Sequence, residues 1–475
     1  MEGTVVATAM PTIVGELGGL PIYSWVFSIY LLTSTTTVPI YGKLSDIYGR
    51  KLIYMISMGM FLAGSVLCGQ ARTMDQLVLF RAVQGIGAGG VLPLAFTIIG
   101  QLFSLEQRAR MQGLFSGIWG ISAIIGPLIG GFLVDQASWH WVFYINLFPG
   151  LAAIAAVWLA WKDSPTARAS LPRIDYPGAA LLTLGVLSLL LGMDLIGSPL
   201  ALACLAGAAA LFAGLVWVEV RVPDPILPFG LFRDRLFSIA ILHGVLSGLA
   251  LFGSVNFIPL FVQAVLGATA TQAGISLTPQ SLAWTLASIA GSRMLLKTGY
   301  RIIALVGMVI LTVGMFAMSR IGIHASEALI MLYTAMLGTG MGLSVPAFLI
   351  AVQSTVRKDQ LGAATSTLQF SRNIGGTLGV SVMGAFLSAR LASRLAASGI
   401  DPATVSLDSL LTPVTNLNAA LETPLRAALA VSIANLFLIA FAAALLGLIA
   451  VTLAPPGKIA QLMQDRKAEE NTRLE

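Results

Sequence analysis

Apolar stretches of about twenty residues, the helix length that crosses the roughly 30 Å hydrocarbon core of a bilayer, follow one another along almost the whole chain. Short links carrying most of the lysines and arginines separate them. The sequence is 57% hydrophobic and 10% charged with a mean hydropathy of +0.87, whereas soluble domains carry about 25% charge. A soluble core has no use for so much apolar sequence. In lipid each span must satisfy its own backbone hydrogen bonds, so the chain is expected to be an all-α polytopic membrane protein.

The net charge of +6 does not point to nucleic acid, because no basic stripe or aromatic platform gathers it in one place. Cys68 and Cys204 fall inside expected spans without metal-ligand neighbours, so they read as small buried apolar residues, and neither a metal nor a cofactor is expected.

Helices are expected at 22–44, 51–69, 77–100, 110–134, 139–160, 176–196, 199–219, 236–264, 272–295, 302–322, 327–351, 362–390 and 428–452, after a shorter one at 1–13. Thirteen residues reach only about 20 Å, so that first helix is expected to be the end of one truncated at Met1, a re-entrant or interfacial segment being the alternative. The polar stretch 391–427, with Pro402, Pro413 and Pro424, is expected to be an outer loop, and 453–475 a cytoplasmic tail. With the link at 42–51 in the cytoplasm, twenty Lys and Arg residues fall on that side and five on the other, which is the bias that orients membrane proteins. Both termini are then expected in the cytoplasm, and the chain in the inner (plasma) membrane.

The chain repeats itself. Gly85, Gly87, Gly89 and Pro93 recur at Gly338, Gly340, Gly342 and Pro346, and Gln107 and Gly126 recur at Gln360 and Gly379 with the same offset. Two six-helix bundles, 1–160 and 236–452, with two inserted linker helices at 176–219, account for that spacing. Such a repeat implies a substrate chamber near the midplane that opens to alternate sides.

Four motifs carry the chemistry. The first, GKLSDIYGRK over 42–51, combines glycines Gly42 and Gly49, which permit a tight link, with Asp46 and Arg50. Asp46 stands where the positive end of another helix dipole can meet it, and the helix expected at 362–390 starts on that side. An ordinary basic loop explains Arg50 and Lys51 but not the glycine and aspartate spacing. The repeat's counterpart, GSRMLLKTG over 291–299, lacks the acid, so a latch is expected on one side only. The second motif is RAVQGIGAG over 81–89, where Arg81 lies at hydrocarbon depth and needs a cavity or partners. It is either a functional residue or an arginine satisfied by backbone carbonyls and Gln84. The third is GPLIGG over 126–131, in which Gly126, Gly130 and Gly131 allow close helix approach and Pro127 frees a carbonyl. The fourth is EGTVVATAMP over 2–11, which sets Glu2 about 14 Å along a helix from Pro11.

These motifs resemble those of the major facilitator superfamily, in particular its fourteen-helix drug:proton antiporter branch, over essentially the whole chain. The resemblance implies two bundles that rock around a shared site, with Asp46 latching them when the cytoplasmic gate is shut. It ties Arg81 to proton movement and marks the 126–131 pattern as one of exporters. It also places an acid at the position of Glu2, whose carboxylate could load and release a proton in competition with substrate; the alternative is an N-terminal acid fraying into water. Trp25, Tyr30, Gln84, Asn256, Gln263, Gln369 and Arg372 are the further candidates for lining a substrate cavity. Trp25 and Tyr30 read equally as interfacial anchors, and Gln369 and Arg372, with Asn373, as packing residues on one helix face.

His243 is expected to be a satisfied core histidine rather than a proton relay, 139–146 an interfacial aromatic belt, and Asp194 a span-end acid reached by water. The expected function is proton-coupled export of amphipathic or hydrophobic small molecules, with protons and the lipid bilayer as the other partners. Export of one dedicated lipid or metabolite is the alternative. A GxxxxGK[ST] loop is missing, which argues against ATP drive, and HExxH, GxSxG and paired acids are missing too, which argues against an enzyme. A receptor would leave the repeat without a role.

Overall fold

Capping residues mark where several helices begin. In the computed structural model, Thr73 opens one helix by accepting from the Gln76 amide, and Ser104 opens the next in a reciprocal capping box with Gln107. The described residues are 2–18, 22, 25–161, 175–196, 198–222, 225–227, 229–268, 270–397 and 419–456. Within them the order is α1 (Glu2–Leu17), α2 (Trp25–Tyr48), α3 (Arg50–Cys68), α4 (Met74–Leu102), α5 (Leu105–Gln136), α6 (Trp141–Tyr144), α7 (Leu147–Ala160), α8 (Tyr176–Asp194) and α9 (Pro199–Glu219). There follow α10 (Arg235–Val255), α11 (Ile258–Ala264), α12 (Ala270–Ile275), α13 (Thr278–Thr298), α14 (Tyr300–Met318), α15 (Glu327–Thr355), α16 (Leu361–Ala397) and α17 (Ala419–Thr452).

Nine spans among the described residues are long and apolar enough to cross a membrane. The helices α2, α5, α13 and α16 are long enough but more polar, because they hold runs such as Thr35, Thr36 and Thr37 or Gln369, Ser371 and Arg372. Three expected single helices are interrupted, at 145–146, 256–257 and 276–277. Proline stands at the restart of α11 and of α13, where its missing N–H needs no partner. The first helix runs past position 13 to Leu17, and α16 and α17 extend into the stretch expected to be an outer loop, whose residues 398–418 lie outside the described ones, as do 457–475 of the expected tail.

The chain forms two compact units. One comprises Met1–Arg108, Ile121–Phe237 and Val352–Phe370, and the other Ala109–Gly120, Ser238–Ala351 and Ser371–Glu475. In the first, Val6, Met10, Ile13, Leu77 and Phe143 form one buried cluster that seats α1 against α4 and α6. Trp139 is buried in that cluster at 1% exposure and its indole N–H donates to Glu16 at 2.7 Å. This corrects the expected aromatic belt: Trp139 is a core residue, although Trp141 stays 45% exposed.

Glycine brings α2, α3 and α4 together backbone to backbone. A Cβ on Gly85 would stand 2.6 Å from the Tyr30 carbonyl, on Gly89 2.4 Å from that of Ser34, and on Gly87 2.2 Å from the Phe61 amide. The second unit repeats the arrangement: a Cβ on Gly338 would stand 2.0 Å from the Gln280 carbonyl, on Gly342 2.4 Å from that of Trp284, and on Gly340 2.7 Å from that of Gly307. Thus α13, α14 and α15 pack as α2, α3 and α4 do, which gives the sequence repeat a physical meaning. The links repeat as well, since Gly49 (φ 94°, ψ 143°) and Gly299 (φ 90°, ψ 154°) precede α3 and α14 in a backbone region essentially reserved for glycine.

Candidate functional site

Asp46 lies in the last turn of α2. Its Oδ1 accepts from the Gly362 amide at 3.0 Å and its Oδ2 from the Ala363 amide at 2.8 Å. These are two of the first amides of α16, left without intrahelical acceptors and carrying the positive end of the helix dipole. On the other side, Arg50 Nη2 reaches Asp46 Oδ1 at 3.2 Å, and Arg50 Nη1 donates to Gln101. Burial pushes the Asp46 carboxyl up to about 6, against the pull of Arg50 and the two amides.

That contact needs glycine on both sides. A Cβ on Gly362 would stand 2.6 Å from Asp46 Oδ1, from the Gly42 carbonyl and from Ser45 Oγ, and a Cβ on Gly42 would stand 2.0 Å from Ser366 Oγ. Gly42 and Gly49 therefore act at different points: one lets α16 approach, the other turns the chain into α3. Lys51, in the same motif, donates to the Trp158 and Trp161 carbonyls at 2.9 and 2.7 Å, at the negative end of α7.

Two glutamines join this cluster. Besides Gln101, Gln353 near the end of α15 donates to the Phe96 carbonyl at 3.1 Å and to Thr365 Oγ1 at 3.3 Å, while its own carbonyl accepts from Arg108. No sequence motif singles them out.

Arg81 is 1% exposed. Its Nε donates to the Val26 carbonyl at 3.1 Å, its Nη1 to Gln84 Oε1 at 2.7 Å, and its guanidinium lies 4.0 Å from the centre of the Tyr30 ring. Gln84 passes the network on to Ser65 Oγ at 2.7 Å, which also receives Asn146 Nδ2 at 3.4 Å. The partners are those of the satisfied-arginine alternative, and Tyr30 is drawn into them; Trp25 stands half-buried at the start of α2.

The glycines of α5 meet α13: a Cβ on Gly113 would stand 2.9 Å from the Ile289 side chain and one on Gly120 2.6 Å from Thr285 Oγ1. Gly126 and Gly130 are buried on the same helix, while the side chains of Pro127 and Glu2 lie outside the described residues, as does the side-chain position of Gly131. A glycine seam that the sequence marked only at Gly379 joins α16 to α10: a Cβ on Gly375 would stand 2.0 Å from the Val245 carbonyl and one on Gly379 2.5 Å from that of Leu249.

Among the cavity candidates, Gln369 and Arg372 are half-buried on α16, and Gln263 is half-buried on α11. Asn256 is exposed and donates to the Phe252 carbonyl at 2.6 Å, closing the end of α10. His243 is buried with its ring 4.7 Å from that of Phe348, and its Nε2 finds no hydrogen-bond partner among the described residues, unlike the satisfied core histidine expected. The Asp194 side chain lies outside the described residues.

A buried carboxylate seated on a helix start, an arginine buried inside a long apolar helix and a doubled glycine-packed helix trio describe a helical membrane protein built from a repeat. The sequence profile of the Major Facilitator Superfamily matches residues 1–380, and the chain belongs to that family, whose members are transporters and not enzymes. It is thus a polytopic membrane transporter of small molecules. It is 38% identical over 401 residues, 83% of this chain and 74% of the relative, to the multidrug transporter protein MdtP of Bacillus subtilis (strain 168). It is 37% identical over 390 residues, 81% of this chain and 76% of the relative, to multidrug resistance protein 3 of the same organism. In fold it is similar to the human organic anion transporter MFSD10, with a TM-score of 0.63 at 14% identity, covering 93% of this chain and 95% of that one.

Proposed function

We propose that the protein is a proton-coupled exporter of amphipathic or hydrophobic small molecules in the plasma membrane, with both termini in the cytoplasm and a six, two, six arrangement of helices. The observation that carries the mechanism is the Asp46 carboxylate on the first amides of α16. A helix start held by one buried acid is a contact that can be made and released as a unit, and alternating access needs such a contact. Asp46, with Arg50, Gly42 and Gly49, is the gate. Arg81, Gln84 and Tyr30 form a fixed polar core beside the transport path, and Glu2 is the carboxyl that exchanges proton for substrate. The α5 glycines, including Gly126 and Gly130, provide the close helix packing of the exporter pattern, and the names of the two bacterial relatives support the broad substrate class.

Dye efflux from loaded cells tests this. Cells expressing the protein extrude a lipophilic cationic dye, a protonophore stops them, and Glu2→Gln gives membrane-inserted protein that no longer extrudes it. Efflux indifferent to the protonophore refutes proton coupling, and full efflux by Glu2→Gln removes that residue from it.

A further inference from the structure

Two buried acids take no part in the latch or the arginine cluster. Asp175 and Glu219, 3% and 2% exposed, meet where the α8 and α9 hairpin closes. Asp175 caps α8, its Oδ1 accepting from the Gly178 amide at 2.8 Å. Its other oxygen, Oδ2, is buried and has no hydrogen-bond donor among the described residues. Glu219 ends α9 and accepts from the Leu227 amide, 3.4 Å from each of its oxygens, so it ties the segment leaving α9 back onto the hairpin.

The two carboxyls converge on one point. A Cβ on Gly178 would stand 2.2 Å from Asp175 Oδ2 and 3.0 Å from Glu219 Oε1, so glycine keeps open the space that both oxygens face. Those two distances put the oxygens no more than about 5 Å apart, near enough for each carboxyl to raise the other's hold on a proton. Lys43 on α2 and Asp175, the cap of α8, are the charged groups acting on Glu219, together with the Ile226 amide. Nearby, Arg221 is turned onto Trp217, donating to its carbonyl at 2.8 Å, and Asp46 of α2 is engaged on α16. The segment at 225–227 brings only Pro225, Ile226 and Leu227, none of which titrates.

We propose that Asp175 and Glu219 form a proton-binding site in which one proton bridges Asp175 Oδ2 and Glu219 Oε1. The bridge gives the orphaned Oδ2 its partner and leaves the pair with one negative charge facing Lys43. A proton suits the site better than a metal ion. Backbone N–H groups already point at Glu219, Lys43 opposes a further cation, and no third ligand of metal-binding type joins the pair among the described residues. This site lies apart from the transported protons and does not rest on the function proposed above. When the proton is bound, the clamp on Leu227 is closed. As pH rises and the proton leaves, the two charges repel and the clamp loosens.

Asp175→Asn tests this, because its amide puts a permanent N–H where the proton stood and its oxygen keeps the cap on α8. The infrared spectrum of the purified protein is expected to show a protonated-carboxyl band that bleaches as pH rises and that Asp175→Asn lacks. Between about pH 5 and about pH 7 the thermal midpoint of the parent is expected to fall, and the variant to lose part of that fall. Both are measured with Asp46→Asn in parent and variant, which removes the latch acid, and Glu219→Gln replaces Asp175→Asn if that chain fails to insert. Unchanged infrared and thermal titrations in the variant overturn the proposal. So does a midpoint raised by sodium or calcium in the parent alone, which assigns the site to a metal cation.

Discussion

Replacing Gly362 by alanine strikes the latch without touching a charged group. The new Cβ would stand 2.6 Å from three oxygens, one of them the Gly42 backbone carbonyl, which cannot rotate away. To relieve that, the start of α16 must withdraw from α2, and the 3.0 and 2.8 Å bonds from Gly362 and Ala363 to Asp46 lengthen with it. Overpacking of this kind costs about 1–3 kcal/mol, and alanine recovers less than about 1 kcal/mol of helix propensity in a first turn. The propensity gain is shared by both states and cancels, so the overpacking penalty of about 1–3 kcal/mol falls only on the latched state and its population relative to any unlatched one drops roughly 5- to 150-fold. Spin labels on exposed positions of α2 and α16 near this contact report it directly: the distance distribution is expected to broaden and lengthen in Gly362→Ala, and dye efflux to slow. A variant with the parental distance distribution and parental efflux would refute the view that this close approach is part of the transport cycle.

Asp46 predicts a pH response whose sign runs against intuition. Burial raises its carboxyl to about 6 from 3.8, so the latched state binds a proton more tightly than any state that returns Asp46 to water. The charged carboxylate is penalised above about 6 and relieved as pH falls through that value, a preference for the latch worth on the order of 3 kcal/mol when complete. The spin-label distances in the parent are therefore expected to narrow as pH is lowered from neutral towards 4, while Asp46→Asn is flat; an equal response in both would remove Asp46 from the effect. Arg81→Met takes the guanidinium bonds from Val26 O and from Gln84 Oε1, which keeps only the long Cys68 Sγ contact at 3.8 Å, and costs about 1–3 kcal/mol. A lowered thermal midpoint with lost efflux is expected, Arg81→Lys recovering stability more than efflux because it lacks the planar fork; a methionine variant as stable as the parent would be the contrary result.

Much of the fold was legible because lipid imposes a simple rule: runs of apolar residues become helices. The glycine offset from Gly85 to Gly338 translated directly into contacts, since only glycine admits the carbonyls of Tyr30 and Gln280 so closely. The pairing of Asp46 with the helix starting near 362 was legible from the chemistry of an acid and a helix start. What stayed hidden were partners brought together from far along the chain. Gln353 and Phe96 are 257 residues apart, and a single glutamine in an apolar helix carries no periodic signal. The turns at 256–257 and 276–277 interrupt spans whose hydropathy runs on across them or resumes at once, so a proline there reads as tolerated. Trp139 misled because a tryptophan at a span end usually meets headgroups, whereas here Glu16 supplies the indole with an internal acceptor.

Helices separated by long side chains can slide, because the side chains bend out of the way; α2, α3 and α4 have given up that cushion along the line of Gly85, Gly87 and Gly89, and α13, α14 and α15 along that of Gly338, Gly340 and Gly342. With main chain resting on main chain, each trio behaves as a single plank. Whatever rearrangement accompanies transport has to pivot each plank whole, leaving bending to the helices outside it.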